Sequence, residues 1–539
     1  MPMPMPMPNA AIDMGMRHKP GLAPEQSKER SMLNPRYAVL DVLRRAEAVR
    51  LAGASGRTEY ELMEHAGTAV ATEIDLRWSI RPVTVLCGPG QNGGDGFVAA
   101  RQLSEAGWPV RLALLGTYEL LTGDTRLHAQ RWDGVCEALE LQVLDDAELV
   151  IDALFGAGLD RPLGAQEQAM LQAVAQRDIP LIAIDIPSGL VADTGESWGA
   201  VAATLTVTCI RKLPAHLLQP GRALCGEVVV AANELPDLIS TQVLPETFEN
   251  DPDLWLAELP RPTITDHKYS RGQALISGGY PRTGAARLAA HGAARIGAGI
   301  ITIAVPDFAM SIYATELTGI LVEPLETEVD FEKLLLPGRS TAMLIGPGAG
   351  VTSVTRARVV AMLKTGLPTV LDADALTIFR NAPHELFSCI QGTCILTPHQ
   401  GEFDRLFPGV GDKLTRGRDA SRRSGAIIVL KGSDTVIAAP DGRAIINANA
   451  PPSLATAGTG DVLAGIILGL LAQGMDPFLA AAAGVWLHGA AAAHFGPGLV
   501  AGDLPGLLLG VLHQLRERNS AVVANEMNKV LVLARGYRA

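Results

Sequence analysis

Two short glycine-rich stretches hold the residues best suited to chemistry. The first, GPGQNGGDGF over residues 88–97, sets Asn92 and Asp95 among five glycines directly after the apolar run VTVLC. Glycine permits positive φ and close backbone approach, and N–H groups at a helix start can hold an anion. The second, ATAGTGDVLAG, sets Gly458, Thr459, Gly460 and Asp461 before an apolar helical stretch. Backbone N–H groups of 458–461 would form an anion hole. A carboxylate beside such a hole is unfavourable unless it has work to do. Taking a proton from a hydroxyl that attacks a phosphoryl group is such work. The competing reading of Asp461 is a helix cap. No G-x-x-x-x-G-K-[ST] occurs, which excludes a P-loop.

Further candidates sit where apolar runs end. VIDALFGAGLDRP places Asp152 at a strand end before a glycine loop, and IAIDIPSGL places Asp185 and Ser188 at another. Carboxyl ends of strands line one crevice in an open α/β sheet. Asn92, Asp152 and Ser188 supply hard oxygen ligands suited to an alkali or alkaline-earth cation. Asp185 is left as an acid/base candidate, and a helix cap is the plainer reading of Asp152. Gly88, Gly90 and Gly93 fit G-x-G-x-x-G, but VRLALLGTYE gives no clean acid about 20 residues on, so a redox dinucleotide site is not expected. In the second half, VLKGSDTVI puts Lys431 and Gly432 at a strand end, where Lys431 could approach phosphates. LTPHQGEF offers His399 and Glu402, LIGPGAG a close-approach loop at Gly346, Gly348 and Gly350, and LDADAL the pair Asp372 and Asp374.

The elements that must position these residues follow from the hydrophobic pattern. Residues 36–76 read as helical, in two stretches. The runs VTVLC, VRLALLG, LVIDALFG, PLIAIDIP, ATLTVTC and EVVVAA then alternate with helical stretches, as do QALISGG, GIITIAVP, AMLIGPG, PTVLDAD, CILTPH and AIIVLKG later. Continuous apolar runs imply strands buried on both faces of a parallel sheet. The fold class is α/β with two domains, the first a Rossmann-like three-layer sandwich. Asp-Gly in TVIAAPDGRAIIN marks a hairpin. Expected boundaries are a disordered tail over 1–30, a first domain over 31–238, an acidic, proline-punctuated linker over 239–258, a second domain over 259–516 and a tail over 517–539.

At 539 residues, 48% hydrophobic and 19% charged, the chain suits a soluble globular protein. Its net charge of −12 argues against nucleic acid as a partner. The six cysteines show no C-x-x-C, so a reduced, cytoplasmic chain is expected. The most apolar helical stretch, VLAGIILGLLAQG, is shorter than the roughly 20 residues a membrane span needs, so no membrane partner is expected.

In order, LMEHAG, GPGQNGGDGFVAAR, IDALFGAGL, DIPSGL and TVTCIRK resemble the NAD(P)H-hydrate epimerase family over nearly all of 36–235. Gln91 stands where that family usually has a first asparagine. The resemblance implies that Asn92, Asp152 and Ser188 hold potassium. It further implies that Gln91, Asn92, Gly93, Gly94, Asp95, Gly156, Ala157, Gly158, Leu159, Asp160, Arg161, Pro162 and Asp185 contact a dinucleotide. Lys212 also matches a family lysine, with a surface lysine as the alternative. HKYSRG, GAARLAA, RIGAGIITIAVP, IGPGAG, LDADAL, LTPHQGEF, LKGSDTVI and AGTGDVLAG resemble the NAD(P)H-hydrate dehydratase family over about 259–515. That implies a ribokinase-like second domain. Lys431, Gly432, Ser433, Asp434, Thr435 and Gly460 would contact the adenine nucleotide, ADP rather than ATP. Ala285, Gly348, His399 and Asp461 would face the hydrated nicotinamide. Ala457 replaces a glycine common before the family's Gly-Thr-Gly-Asp. Together the resemblances imply an epimerase and a dehydratase in one chain, with Asp185 and Asp461 catalytic. Magnesium is expected for phosphoryl transfer, and a homo-oligomer is expected. The alternative is a kinase of a small hydroxylated metabolite fused to a dinucleotide-binding domain.

Overall fold

The structure is a computed structural model that describes residues 33–231 and 242–518. The tail expected over 1–30, residues 239–241 of the expected linker and most of the C-terminal tail lie outside the described residues. A short strand, β1 (Ala38–Val39), precedes the helices Val42–Ala54 and Glu59–Arg77; the two helical stretches expected over 36–76 are present, but the first was read as beginning at 36. Seven parallel strands form the smaller sheet: β2 (Val83–Cys87), β3 (Val110–Leu114), β4 (Cys136–Ala138), β5 (Leu149–Ala153), β6 (Leu181–Ile184), β7 (Leu205–Cys209) and β8 (Glu227–Ala231). Their order is β4-β3-β2-β5-β6-β7-β8. Every residue of β2, β5 and β6 is buried, as covering by helices on both faces demands. The strand order reverses between β2 and β5, so the loops after them open at a topological switch point.

The larger sheet contains β9 (Thr247–Glu249), β10 (Gln273–Ser277), β11 (Ile300–Pro306), β12 (Leu321–Leu325), β13 (Ala342–Ile345), β14 (Thr369–Leu371), β15 (Cys394–Leu396), β16 (Ile427–Leu430), β17 (Thr435–Ala438) and β18 (Ala444–Asn447). With β1 it has eleven strands in the order β1-β9-β18-β17-β16-β15-β14-β13-β10-β11-β12. Strands β10 to β16 are parallel to their neighbours, and β16-β17-β18 continue antiparallel. The expected hairpin is β17–β18, turning at Asp441-Gly442 with Gly442 at φ +95°. This sheet reverses between β10 and β13, giving a second switch point.

Residues 247–249, inside the stretch read as a linker, pair as β9 with β18 and with β1. An N-terminal strand thus completes the edge of the larger sheet. Strands that short, or carrying Pro324 and Glu323 as β12 does at the far edge, leave little hydrophobic pattern to read.

The glycines at 88–96 differ from expectation. None has positive φ, and the helix begins at Gln91, so Gly93, Gly94 and Gly96 lie inside it. Their role is close approach. A Cβ on Gly88 would overlap the Leu154 carbonyl oxygen, and one on Gly93 the Gly88 carbonyl oxygen. In the second half, helix Thr283–Arg295 crosses helix Thr459–Ala472 through Gly292, Gly465 and Gly469, which brings backbone against backbone. That crossing fixes the start of the second helix, where Asp461 sits. One helix, Pro477–Phe495, is long and apolar enough to cross a membrane, but 67% of its most apolar window is buried inside the protein. All six cysteines are unpaired.

Gly465→Ala gains up to about 1 kcal/mol in helix propensity but places its Cβ on the Ala289 carbonyl oxygen. Overpacking typically costs about 1–3 kcal/mol, so the urea midpoint should fall. Gly284→Ala, whose Cβ meets nothing within 4 Å, should leave it unchanged or raise it.

Candidate active sites

The first site forms where β2, β5, β6 and β7 end. Asp152, fully buried, accepts the Ser188 N–H at Oδ2 (2.8 Å), and the Ser188 hydroxyl (2.6 Å) and Leu154 N–H (3.2 Å) at Oδ1. Ser188 Oγ in turn accepts the Phe155 N–H at 2.8 Å. Burial raises the Asp152 pKa, and the groups that oppose it are uncharged hydrogen-bond donors. The carboxyl is therefore more than a helix cap: it ties the β5 end to the 185–188 loop.

Asp185 lies beside this pair at φ +70°. Its Oδ1 meets the Arg45 guanidinium and accepts the Thr208 hydroxyl at 3.0 Å, and its Oδ2 accepts the Ala157 N–H at 2.9 Å. Burial would raise its pKa, but the charge of Arg45 and the Ala157 N–H outweigh it and the net shift is downward. Asp95 faces the opposite way electrostatically. Burial first, then the neighbouring Asp185, holds its pKa well above the usual carboxylate range against the pull of Arg45. One half-buried pocket thus contains two carboxyls whose pKa values are pushed apart, the arrangement that separates acid from base.

A Cβ on Gly156 would lie 2.9 Å from Asp185 Oδ2 and 3.1 Å from Asn92 Oδ1. Those two oxygens converge on one bare backbone position. Asn92 Nδ2 is buried with no partner among the described residues, a donor left for something that enters. Gln91 points elsewhere, its amide donating to Glu59 at 3.1 Å. Of the 156–162 loop, Leu159 N–H closes a turn on the Gly156 carbonyl at 3.2 Å, and Arg161 lies over the Phe155 ring. Lys212 is paired with Glu249 of β9 at 2.8 Å.

The second site forms around Gly458, at φ +91°, and the first turn of helix Thr459–Ala472. Lys431 Nζ lies 3.4 Å from where a Cβ on Gly460 would stand and pairs with Asp372 at 2.8 Å. Asp461 has its pKa raised to about 6, by burial first and then by Asp372, against the attraction of Lys431. Beneath it, buried His488 hydrogen-bonds the Thr459 backbone. At the switch point, Gly348 (φ +65°) packs so close that a Cβ would overlap the Arg282 carbonyl oxygen and lie 3.4 Å from Ala285. The predicted Ala285 and Gly348 therefore do meet.

His399 is a helix N-cap. Its Nδ1 accepts the Gly401 N–H at 3.0 Å, and its half-exposed ring sets Nε2 3.6 Å from Glu402 Oε1. Side chains of the 431–435 turn are also engaged. Thr435 Oγ1 bonds both backbone groups of Gly432, and Asp434 takes Lys413 at Oδ1 and the Gln219 N–H at Oδ2. Sequence reasoning missed Arg45, Thr208, His216 and Lys413. Arg45 stands in an ordinary amphipathic stretch 140 residues from its partner, and no local pattern marks it.

The chain matches two family models: YjeF-related protein N-terminus over residues 59–215 and NAD(P)H-hydrate dehydratase over 274–514. A relative from Moorella thermoacetica, named a bifunctional NAD(P)H-hydrate repair enzyme, is 35% identical over 504 residues, covering 86% of this chain and 94% of its own. One of the same name from Coxiella burnetii is 35% identical over 461 residues, covering 83% and 92%. A solved ADP/ATP-dependent NAD(P)H-hydrate dehydratase from Bacillus subtilis, co-crystallised with ATP and Mg2+, is 32% identical with a TM-score of 0.45, covering 50% of this chain and 98% of its own.

The Asp461 environment has a consequence for stability. Its folded pKa of about 6 lies above the unfolded value of about 3.9. The ionised form therefore costs the folded state nothing below the unfolded value, and the cost grows to its full size above about pH 6. Asp461→Asn should stabilise the chain at pH 7 by ~1–3 kcal/mol and not at pH 4. Urea midpoints at the two pH values measure this, and equal shifts at both would contradict the assignment.

Proposed function

The chain belongs to the bifunctional NAD(P)H-hydrate repair enzymes, and from that premise we propose how its two carboxylates divide the work. As in that family, the first domain is the epimerase and the second the dehydratase. Their substrate is a nicotinamide dinucleotide that has taken up water, leaving a hydroxyl on ring carbon 6 beside the ring nitrogen. The observation that carries the residue assignment is the pair of strand-end sites. Each presents one carboxylate in perturbed surroundings: Arg45 holds the Asp185 pKa down, and burial lifts that of Asp461 to about 6.

In the second site Asp461 accepts the hydroxyl proton as that oxygen attacks the terminal phosphoryl group of ADP. The N–H groups of 458–461 and Lys431 stabilise the transferring charge. AMP leaves. The carbon–oxygen bond then breaks with the ring nitrogen's electron pair, phosphate departs, and loss of a proton from ring carbon 5 restores NAD(P)H. Ala285, Gly348 and His399 line the dinucleotide side, and the 431–435 turn meets the adenine nucleotide through its backbone. Magnesium would be held largely by phosphate oxygens near Asp372 and Asp461, and supplies charge neutralisation.

In the first site ring carbon 6 carries both oxygen and nitrogen, so inversion requires one of those bonds to open and close again. Asp185 takes the hydroxyl proton, the carbon–nitrogen bond opens to an aldehyde, and the nitrogen receives the proton. Closure on the other face gives the other epimer. Asp95 and Asn92, with Ala157 and the rest of the 156–162 loop, bind the dinucleotide. Potassium suits the oxygens of Asn92, Asp152 and Ser188. The Asp152 carboxyl is buried among uncharged hydrogen-bond donors, so the set carries one carboxylate and two neutral oxygens, which suits a singly charged cation.

The test is a mixture of R and S epimers with ADP and magnesium, followed by NADH absorbance. Complete conversion is expected. Asp461→Asn should slow it by about 10²–10⁴, and replacing potassium by a large organic cation should slow only the R fraction. A stable phosphorylated product instead of NADH would favour a kinase, and equal rates in both cation solutions would remove potassium from the account.

A further inference from the structure

The epimerase carboxylate and the nucleotide turn are joined by a short run of directed contacts that neither half-reaction requires. Asp185 is held at positive φ with its N–H bonded to the Val207 carbonyl (2.8 Å) and its own carbonyl accepting His216 Nε2–H at 2.8 Å. The tautomer of His216 is fixed, because Nδ1 accepts the Leu213 N–H at 2.9 Å. Burial, the largest influence, brings its pKa down to about 4 despite Asp185 nearby, so the ring stays neutral. Just beyond it, Leu217 and Leu218 pack with Val436 of β17 and Ile446 of β18. The Gln219 N–H then donates to Asp434 Oδ2 at 2.9 Å, and Arg222 Nη1 donates to the Ser433 carbonyl at 2.9 Å. On the other side of the turn, Asp434 Oδ1 takes Lys413 Nζ at 2.6 Å, and Lys431 stands over Gly460.

The carboxylate of Asp434 is thus spent on the epimerase domain and on Lys413. A nucleotide seated against 431–435 would press on a turn whose far side grips residues 219 and 222. Those residues follow His216 within one compact turn, closed by the Leu217 and Leu218 N–H groups on the Pro214 carbonyl, both at 2.9 Å. A packed interface transmits such a shift because it cannot deform freely.

We propose that His216, Asp434 and Arg222 are positioning residues through which the adenine-nucleotide turn sets the placement of Asp185, so that nucleotide bound at the second site changes R–S interconversion at the first. The inference rests on the assignment of the two sites made above. It concerns the rate of interconversion and leaves the equilibrium between epimers untouched.

The test uses the full chain carrying Asp461→Asn, so that S epimer is not consumed. R-NADHX is supplied with and without saturating ADP, and the epimers are separated at early times. ADP is expected to change the epimerase kcat about fivefold or more, the lower end of the usual coupling between sites, with the KM for R-NADHX unchanged. Adding Arg222→Ala, whose side chain is partly exposed and donates to a backbone carbonyl across the interface, should abolish most of the ADP effect, and so should Asp434→Ala. An unchanged kcat overturns the proposal. So does a rise in KM alone, which is what ADP competing directly at the first site would give. So does an ADP effect that survives both substitutions. Absence of epimerisation even without ADP would instead remove the functional assignment on which the proposal stands.

Discussion

Both sites depend on one constraint: a parallel sheet covered on both faces has no room for a charge except where its strands end. In β2, β5 and β6 no residue is exposed. Isolated ionised carboxylates cannot be kept in such an interior. The chain therefore places its acids at the strand ends and helix starts, where side-chain and turn N–H donors converge: Asp152, buried at the end of β5, is met by Ser188 and the Leu154 N–H. Asp185 is the sharpest case. It stays ionised at the edge of the core because Arg45, Thr208 and Ala157 each meet one of its oxygens. Breaking such a pair from one side typically costs 3–5 kcal/mol, because a buried charge is then left alone. Arg45 reaches it from the helix Val42–Ala54, and that helix is pinned to the larger sheet through Arg44 and Glu246. Asp185 is thus held by groups that the second domain also steadies.

The second site solves the same problem with less compensation. Lys431 pairs with Asp372 and only partly offsets the burial of Asp461, which keeps a pKa near 6. A base with that pKa is mostly ionised at neutral pH yet basic enough to take a proton in the transition state. The cost in stability is accepted where the chemistry needs it. Gly458, Gly346 and Gly348, all at positive φ, let the loops come close enough to bring these groups together.

Much of this was legible in the residues because it is local. The strand runs, the hairpin at Asp441-Gly442 and the positions of Asp152, Asp185, Ser188, Gly348 and Asp461 at strand or helix ends follow from pattern and spacing. What was not legible is long-range. Arg45, His216 and Lys413 act on residues that no spacing rule connects to them. Nor could the sequence show that Asp434 turns its carboxylate to the other domain, or that Lys212 pairs with Glu249. The glycines of 88–96 were read for positive φ and for close approach to an anion; none has positive φ, and the close approach at Gly88 and Gly93 is to backbone carbonyls, which depends on which carbonyl lies opposite. Strands β1 and β9, in stretches read as helix and linker, were missed for the same reason: each is defined only by its partner.

The central claim is that the two sites act in series on opposite epimers, with Asp185 feeding Asp461. Purified R-NADHX given to the full chain with ADP and potassium tests it most directly. The account predicts that NADH appears after a lag, while purified S-NADHX gives none. It also predicts that Asp185→Ala lengthens the R lag to that of spontaneous epimerisation and leaves the S rate intact. NADH released from the R epimer without a lag, and at the same rate in the Asp185→Ala chain, would contradict it.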